Sequence, residues 1–370
     1  MSSSQTTAKK TAFHEATAAL GAEYTELFGS LWPDHYGDLD AEYQAQRHGV
    51  GVMDASPINK WEFRGPDATV AAQRVHTNNI VGAAVGQVRY GAFCDDSGRM
   101  IDDGTVFKLA ADHLWVMTNK NTRAEHFAHA TSDLDVEITD ITDTLPHLFF
   151  QGPASRDALA AVTTADLSAL GWFRFLPEQV DVAGVPVWLS RTGVSGELGY
   201  EFFCAPEVAP DLLRNLVEKT GARPYGLAAI ETVRIESGII VTDTDYPEHV
   251  YTPYDVSFDR LVDLRRDFLG RDALAQIEPE ARRHRMVTLS LDSQHLPEYG
   301  SPVSHNGKTV GTLTSPTVSP IFGPIGLAIV EASLTAAGTR VEVLDKDRSI
   351  GATVHQDYPA FDPEKKRPRS

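Results

Sequence analysis

Carboxylates stand at two places in the sequence where they could do chemistry. Asp102 and Asp103 are adjacent, and Glu201 follows the segment Arg191–Gly199, which holds three glycines in nine residues. Such glycine density is typical of backbone that turns tightly or approaches another group closely. A carboxylate can orient a ligand, stabilise a cation or move a proton. The structural alternatives are a solvated pair of aspartates and an exposed glutamate on a strand.

The elements around the two aspartates are predicted to form a hairpin. An apolar stretch over Thr105–Leu109 leads through a short connection into the alternating run Leu114–Thr118, and Asp102 and Asp103 stand at the start of the first strand. Successive side chains of a strand point to opposite faces. Only one of the two aspartates should therefore reach a ligand.

The rest of the chain is predicted to form an α+β body followed by an all-β domain. The body contains strands over Val185–Leu189 and Tyr200–Cys204, a helix from about Val208 that stops at Gly221, and a helix over Leu227–Ser237. From about Arg283 the pattern is all-β, with a strong hairpin turn at Asn306–Gly307. We divide the chain into an N-terminal arm and first helix (1–30), the body (31–280) and a C-terminal β domain (281–370).

Composition bounds the function further. The formal net charge of −18 argues against nucleic acid or an anionic membrane as a partner, since both need a basic face. No apolar run approaches the roughly 18 residues of a membrane span. Cys94 and Cys204 have no metal-site or redox-motif spacing, so a cytoplasmic location is the simplest expectation. The last residues, Glu364–Ser370 (EKKRPRS), form a basic polar segment that is interpreted as a solvated tail.

Several common catalytic motifs are absent from the sequence. There is no GxxxxGK[ST], no GxGxxG after a predicted strand, no HExxH, no paired CxxC and no GxSxG. Their absence disfavours nucleoside triphosphate chemistry, dinucleotide redox chemistry and serine hydrolysis. The thirteen histidines are scattered, so no metal site is predicted.

Four segments, in order along the chain, resemble motifs of the glycine cleavage T-protein (aminomethyltransferase) superfamily. They are Ser97–Asp103 (SGRMIDD), Phe150–Pro153 (FQGP), Arg191–Glu201 (RTGVSGELGYE) and Gly226–Gly238 (GLAAIETVRIESG). Weaker similarity extends from Trp32–Pro33 to Gly311–Ser315, so the resemblance covers nearly the whole chain. Each motif is weak by itself, but four in order are specific to the superfamily.

The resemblance implies a three-domain ring around a central folate channel, with an α+β body and a C-terminal β barrel. It also implies tetrahydrofolate as cofactor and Glu201 as the residue that holds the pterin. A pterin edge offers a ring N–H beside an amino group, and one carboxylate can accept both hydrogen bonds. Gln151 could add an amide hydrogen bond or cap a turn. Asp103 matches the functionally important aspartate, and Tyr90 and Asn119 match residues that line the channel.

Two departures from the T-protein pattern favour a demethylase. Ile230 stands where the T-protein has an arginine for the folate tail, and Pro57 stands where it has a histidine. Dimethylsulfoniopropionate demethylase, a relative, also lacks that arginine. It is similar to this chain over Arg234–Gly238, Gly65–Ala68 and Tyr90–Asp95. The resemblance therefore points to the folate-dependent demethylase branch.

We expect methyl transfer from a small methylated substrate to N5 of tetrahydrofolate. A sulfonium or ammonium donor could be held by aromatic rings, among them Trp172 and Tyr246. An aryl methyl ether would need a proton donor, for which Tyr246 or His249 is available. The alternatives are aminomethyl transfer from a lipoyl carrier and folate binding without catalysis. The sequence leaves the oligomeric state and the identity of the methyl donor open.

Overall fold

The computed structural model of the chain describes residues 8–370, so Met1–Thr7 of the predicted N-terminal arm lie outside the described residues. Within the described part the α-helices are α1 (His14–Ala19), α2 (Leu39–His48), α3 (Ala68–Val75), α4 (Ala124–Ala130), α5 (Ser155–Ala160), α6 (Ala209–Thr220), α7 (Leu227–Glu236) and α8 (Arg271–Ala275). No helix in residues 8–370 combines the length and apolar character needed to cross a bilayer.

Twenty strands are assigned in the described part of the chain. The first fourteen are β1 (Glu23–Leu27), β2 (Ser30–His35), β3 (Gly51–Asp54), β4 (Asn59–Arg64), β5 (Val88–Cys94), β6 (Met100–Ala110), β7 (His113–Thr118), β8 (Glu137–Asp140), β9 (His147–Gln151), β10 (Arg174–Phe175), β11 (Val180–Val182), β12 (Val185–Arg191), β13 (Gly199–Phe203) and β14 (Arg223–Pro224). The last six are β15 (His284–Leu291), β16 (Ser301–His305), β17 (Lys308–Ser319), β18 (Gly323–Glu331), β19 (Arg340–Asp345) and β20 (Arg348–Val354).

The described residues form two compact units, each built from separate stretches of chain. The first unit takes the described residues up to Trp61 together with Thr139–Ile230 and Lys366–Ser370. The second takes Glu62–Ile138 and Glu231–Lys365. The boundaries expected at residues 30 and 280 remain predictions.

The first unit is organised around a mixed sheet in the order β10-β12-β13-β9-β3-β14, with β11 also paired to β12. Side-chain alternation gives this sheet two different faces. Leu148, Phe150 and Phe202 belong to a large apolar core that also contains Leu212 and Leu216 of α6. The polar residues of β9 and β13 lie on the opposite face of the sheet, because they alternate along each strand with these apolar residues.

The second unit holds a sheet and a barrel. Strands β5, β6 and β7 are the part of a five-stranded sheet, in the order β5-β6-β7-β4-β8, that lies wholly in this unit. Strands β15 to β20 close into a barrel in the order β15-β18-β17-β16-β19-β20, and every pairing recorded between them is antiparallel. The predicted C-terminal β domain is therefore confirmed as a six-stranded antiparallel barrel.

Several predicted elements are present with small shifts. Helix α6 ends at Gly221, which takes the left-handed conformation with φ 69°. Asn306 and Gly307 also have positive φ, at 51° and 76°, as a tight hairpin turn between β16 and β17 requires. The placement of Asp102 and Asp103 at the start of a strand was wrong. Strand β6 already begins at Met100, because β5 pairs with it along this stretch.

Candidate functional site

Glu201 lies in the middle of β13, on the face opposite the large core. Strand β13 pairs with β9 and β12, which places Glu201 opposite Phe149 on one side and Ser190 on the other. Its carboxyl group is buried, with 7% of the residue exposed. A buried carboxylate on a rigid central strand is well placed to hold a ligand in one orientation.

The surroundings of Glu201 are short of positive charge. Burial raises the pKa of its carboxyl group to about 7, against a hydrogen bond from Thr192 and the charge of Lys60. Lys60 is itself buried, and its ammonium donates to the carbonyl oxygens of Ser56 and Ile58 at 2.9 and 2.7 Å. Lys60 therefore acts on Glu201 at a distance and leaves it acceptor capacity.

His147 and Tyr225, which the sequence did not single out, lie near Glu201. Nε2 of His147 is 3.8 Å from a carboxyl oxygen of Glu201, too long for a hydrogen bond. Both ring nitrogens of His147 and the hydroxyl of Tyr225 are buried without a hydrogen-bond partner among residues 8–370. Period-two alternation on β9, from Gln151 back to His147, is the sequence signal that could have placed the histidine on this face.

Gln151 fastens the glycine-rich segment. Its side-chain nitrogen donates to the carbonyl oxygens of Thr192 and Tyr200, both at 3.3 Å, and its oxygen accepts from Ser195 Oγ at 2.9 Å. A Cβ on Gly193 would lie 2.1 Å from this amide, which explains the glycine there. Both amide protons of Gln151 are thus used within the protein, and its oxygen is the atom left for a ligand.

The same segment carries a buried glutamate that pairs with the C-terminal tail, most of whose residues are exposed as expected. Glu197, with 1% of its side chain exposed, lies 3.5 Å from Arg47 and accepts from Arg367 at 3.0 and 3.2 Å. The guanidinium of Arg369 lies 4.6 Å from the ring centroid of Trp172. The tail is held because Glu197 needs cationic partners in the interior. Trp172, predicted to hold a substrate cation, already faces one from its own chain.

In the second unit, Asp102 and Asp103 point to different surroundings, as alternation on β6 requires. Asp102 is fully buried and accepts from Nε of Arg123 at 3.0 Å and from the side-chain amide of Asn119 at 2.8 Å. Backbone N–H groups of Asp103, Asn119 and Lys120 also donate to it, at 2.9 to 3.3 Å. With five donors in place, Asp102 has no capacity left for a ligand and anchors the local backbone.

Asp103 is held by tyrosines. Tyr90 donates to one carboxyl oxygen at 2.7 Å, Tyr246 donates to the other, and the amide of Asn119 reaches the second at 3.4 Å. Burial raises the pKa of Asp103 to about 7, with the charge of Asp102 adding to the shift against the two tyrosine hydrogen bonds. The structure thus brings together Asp103, Tyr90, Asn119 and Tyr246 from the predicted set.

A charged network fixes the segment that carries Tyr246. Glu248 accepts from Arg123 at 3.1 and 3.0 Å and from Lys120 at 2.5 Å. Although burial opposes it, hydrogen bonds from Arg123 and Lys120 lower the pKa of Glu248 to about 2. Arg123 therefore ties the Asp102 strand to the Tyr246 segment, a role that the sequence did not reveal.

His249 does not join this cluster. Its side chain is 61% exposed and its Nδ1 lies 2.7 Å from a carboxyl oxygen of Asp95, so it forms a surface pair. Among residues 8–370 no group of three or more histidine, cysteine or acidic side chains is arranged to hold a metal ion.

The Arg234–Gly238 run serves the architecture of the second unit. Arg234 binds Asp245 at 2.7 Å and Ser315 Oγ at 2.8 Å, and Asp245 also accepts from Thr314 and Ser315, both at 2.6 Å. Arg234, in the last turn of helix α7, is thus joined to barrel strand β17 in one buried network. Ile230, by contrast, is packed in an apolar cluster of the first unit with Met53, Phe149 and Tyr225.

Comparison with known proteins gives matches over nearly the whole chain. The family model described as the GCVT N-terminal domain matches residues 13–266, and the one described as the Glycine cleavage T-protein C-terminal barrel domain matches residues 283–362. An aminomethyltransferase of Rubrobacter xylanophilus is 36% identical over 353 residues, covering 94% of this chain and 93% of that protein.

Two further similarities are informative. A trimethylamine-oxide aldolase of Ruegeria pomeroyi is 35% identical over 384 residues, covering 98% of this chain and 48% of that protein. The crystal structure of glycine cleavage system aminomethyltransferase T from Bartonella henselae superposes with a TM-score of 0.87 at 21% identity, covering 96% of this chain and 98% of that one. Because its sequence identity is 21%, the similarity to the Bartonella henselae structure shows a shared fold and nothing more.

Proposed function

Because the chain belongs to the glycine cleavage T-protein family of tetrahydrofolate-dependent one-carbon transferases, we propose that it transfers a methyl group from a small methylated substrate to N5 of tetrahydrofolate. The observation that carries this choice over aminomethyl transfer is the position of Ile230. It is 8% exposed and lies in an apolar cluster, so this position itself offers no cation to an anionic folate tail. A small, freely diffusing donor makes a weaker demand on that anchor than a carrier protein does.

The residues of the first unit fit the pterin. Glu201 is buried and has acceptor capacity for a ring N–H and an amino group side by side. The unsatisfied polar atoms of His147 and Tyr225 mark the same region as one that a polar ligand would complete. Gln151 contributes chiefly by fixing the glycine-rich segment, and its oxygen is available as a further acceptor.

The residues of the second unit fit proton transfer. Bound tetrahydrofolate supplies the N5 nucleophile that accepts the methyl group. Methylation there would require the loss of the N5 proton, and Asp103 is the group that we assign to accept it. Tyr90 and Tyr246 hold its carboxyl group in one orientation. The side-chain amide of Asn119 fixes the backbone there by donating to the carbonyl oxygen of Asp103 at 3.0 Å.

Among donor classes, a sulfonium or ammonium suits this cluster better than an aryl ether. The groups that hold the Asp103 carboxyl are the neutral hydroxyls of Tyr90 and Tyr246, and no lysine or arginine of the described chain hydrogen-bonds to it, so a cationic donor would meet a carboxylate that has no cationic partner. Its leaving group departs neutral, and needs no acid. His249, which could have served an aryl ether, is paired with Asp95 at the surface.

Aminomethyl transfer is the second candidate, favoured by the relative that is 36% identical over 93% of its own length. The deciding experiment incubates purified protein and tetrahydrofolate with methylated sulfonium, ammonium and aryl-ether compounds and measures 5-methyltetrahydrofolate by mass spectrometry. A parallel reaction supplies aminomethylated lipoyl carrier and measures ammonia and methylenetetrahydrofolate. Methyl product from at least one donor supports our proposal. Ammonia release without any methyl product would establish aminomethyl transfer instead.

A cytoplasmic location is part of the proposal. Cys94 and Cys204 are both buried free thiols in the structure. Unpaired cysteines are the usual state in a reducing compartment. A cell fractionation with an antibody to the protein tests this directly.

A further inference from the structure

We infer that His147 and Tyr225 contact the bound ring system and are specificity-determining residues of the Glu201 site. The inference rests on the proposed function, and it concerns two side chains that lie outside the resembling motif positions assigned above. Its basis is that three buried polar atoms, the two ring nitrogens of His147 and the hydroxyl of Tyr225, have no partner among residues 8–370.

The imidazole ring of His147 is held by aromatic packing. Its ring stacks on Phe203, with centroids 4.8 Å apart at 20°, and meets Phe149 edge-on at 5.3 Å. It lies on the face of the sheet that carries Glu201, since β9 and β13 pair in register. The ring is thus fixed with its nitrogens unused beside the clasping carboxylate, where a ligand held by Glu201 would meet them.

Close packing and a backbone hydrogen bond fix Tyr225. Its ring packs so closely on Gly51 that a Cβ there would lie 2.6 Å from Cδ1, and its backbone N–H donates to the carbonyl oxygen of Val52 at 3.0 Å. It shares an apolar cluster with Met53 and Phe149. A phenol would be replaced by phenylalanine at no loss of packing, so the buried hydroxyl is unexplained by the fold alone.

The His147 ring and the Tyr225 hydroxyl can form the hydrogen bonds to a pterin that a carboxylate, which only accepts, cannot form. Glu201 accepts from the amino group and the adjacent ring N–H, which leaves a carbonyl oxygen and further ring nitrogens without partners. A tyrosine hydroxyl donates to a carbonyl oxygen, and a neutral imidazole donates with one nitrogen and accepts with the other. Together the three side chains would select a bicyclic ring that has donors and acceptors on adjoining edges.

The test uses the full chain and three matched variants. Tyr225→Phe removes one hydroxyl, and His147→Phe keeps the aromatic stack while removing both nitrogens. Thr288→Val is the control, because Thr288 Oγ1 is also buried without a partner, but in barrel strand β15. Titration calorimetry measures the dissociation constant for tetrahydrofolate, and thermal unfolding without ligand measures whether each variant is folded.

We expect Tyr225→Phe and His147→Phe to weaken tetrahydrofolate binding by about 5- to 100-fold, as the loss of a hydrogen bond to a buried partner does. Their unfolding midpoints should stay level or rise, as should that of Thr288→Val, which should bind normally. If both variants bind like wild type, the inference is overturned while Glu201 is unaffected. If His147→Phe does not fold, His147→Gln takes its place with the same expectation. Failure of the wild type to bind tetrahydrofolate would instead overturn the proposed function.

Discussion

Glu201 and Asp103 are buried carboxyl groups with the same raised pKa, about 7, but the two units surround them in opposite ways. Asp103 is held by two tyrosine hydroxyls from the chain itself. Among residues 8–370 Glu201 has a single hydrogen bond of this kind, from Thr192, and it also lies near His147 and Tyr225, whose polar atoms are unsatisfied. Burial is the main cause of the raised pKa in both cases, so the pKa alone does not show which of the two carboxyl groups binds a ligand.

The difference lies in where the missing hydrogen bonds come from. A carboxyl group with donors from its own chain is oriented before any substrate arrives, which suits a group that acts on a reacting atom. A carboxyl group among unpaired donors and acceptors has a site that only a ligand completes, which suits recognition. Substitutions at the two carboxyl groups and at their neighbours separate these two roles.

The largest expected effect is on turnover, from Asp103→Asn. Removing the proton acceptor should lower kcat by about 10²- to 10⁴-fold, the usual contribution of a positioned acid or base. The dissociation constant for tetrahydrofolate should stay within about twofold, because the pterin clasp is assigned to Glu201. Steady-state kinetics with the identified donor and calorimetry make the check. An unchanged kcat would remove Asp103 from the mechanism.

Asp102→Asn is the matched control, and it should act on stability. Its carboxylate holds Arg123 at 3.0 Å in the interior. Breaking a buried ion pair costs about 3 kcal/mol of unfolding free energy. The folded variant should lose less turnover than Asp103→Asn, measured below its own unfolding transition. Equal losses of kcat in both variants would show that the two aspartates do not have separate roles.

The next effect is on binding, from Glu201→Gln. The amide keeps one acceptor but loses the charge and the second acceptor, so tetrahydrofolate affinity should fall by about 10- to 150-fold. The variant should remain folded without ligand, because no cation depends on Glu201 as a hydrogen-bond partner. Calorimetry and thermal unfolding measure both. Unchanged affinity in a folded variant would contradict the pterin assignment.

The sequence predicted some features of the two carboxylate sites and missed others. Alternation on one strand correctly separated Asp102 from Asp103, because side-chain direction has period two whatever the strand packs against. The start of β6 was missed because its first residues are paired with β5, a strand that the apolar pattern did not show. Pairing with a distant segment is a tertiary effect that local pattern does not contain.

The polar partners were harder to predict than the carboxylates. Tyr246 was expected to hold the substrate. Its hydroxyl instead donates a hydrogen bond to Asp103, which lies 143 positions away in the sequence. His147 and Tyr225 were missed, since a single histidine or tyrosine in an apolar run is more often packed in the core. The barrel, by contrast, was evident from regular alternation and the Asn306–Gly307 turn, which are local signals.

A smaller effect should appear in the pH dependence of binding. The Glu201 carboxyl group has its pKa raised to about 7 in the folded protein, and the clasp needs the ionised form. Affinity for tetrahydrofolate should therefore rise by about tenfold between pH 6 and pH 8, and Glu201→Gln should flatten this dependence. Calorimetry at both pH values tests it. A wild-type affinity independent of pH would mean that Glu201 is already ionised or is not the clasp.

The same group gives a stability change of known sign. Its pKa is 4.5 in a model compound and about 7 when folded, so the folded chain binds more protons between these values. Stability without ligand should therefore fall as pH rises from about 4.5 to 7. Thermal unfolding at pH 5 and pH 8 should show Glu201→Gln gaining on wild type at the higher pH. A gain at the lower pH would reverse the sign and contradict the assignment.

The smallest effect distinguishes tuning from simple contact at Asp103. Tyr246 donates to the carboxylate and so favours its ionised form, which is the form that accepts a proton. Tyr246→Phe removes this donor, and the pKa of Asp103 should rise further. At pH 7 kcat should fall by about three- to tenfold, in line with the loss of one charge-assisted hydrogen bond. At pH 9 it should largely recover, because the carboxyl group is ionised again.

Tyr90→Phe is the matched variant, since Tyr90 donates to the other oxygen at 2.7 Å, and it should shift the kcat profile in the same direction. Measuring kcat from pH 6 to pH 9 separates the outcomes: a uniform loss without a shift would show that the tyrosines only pack against Asp103, and the contrast with Glu201 would then rest on geometry alone.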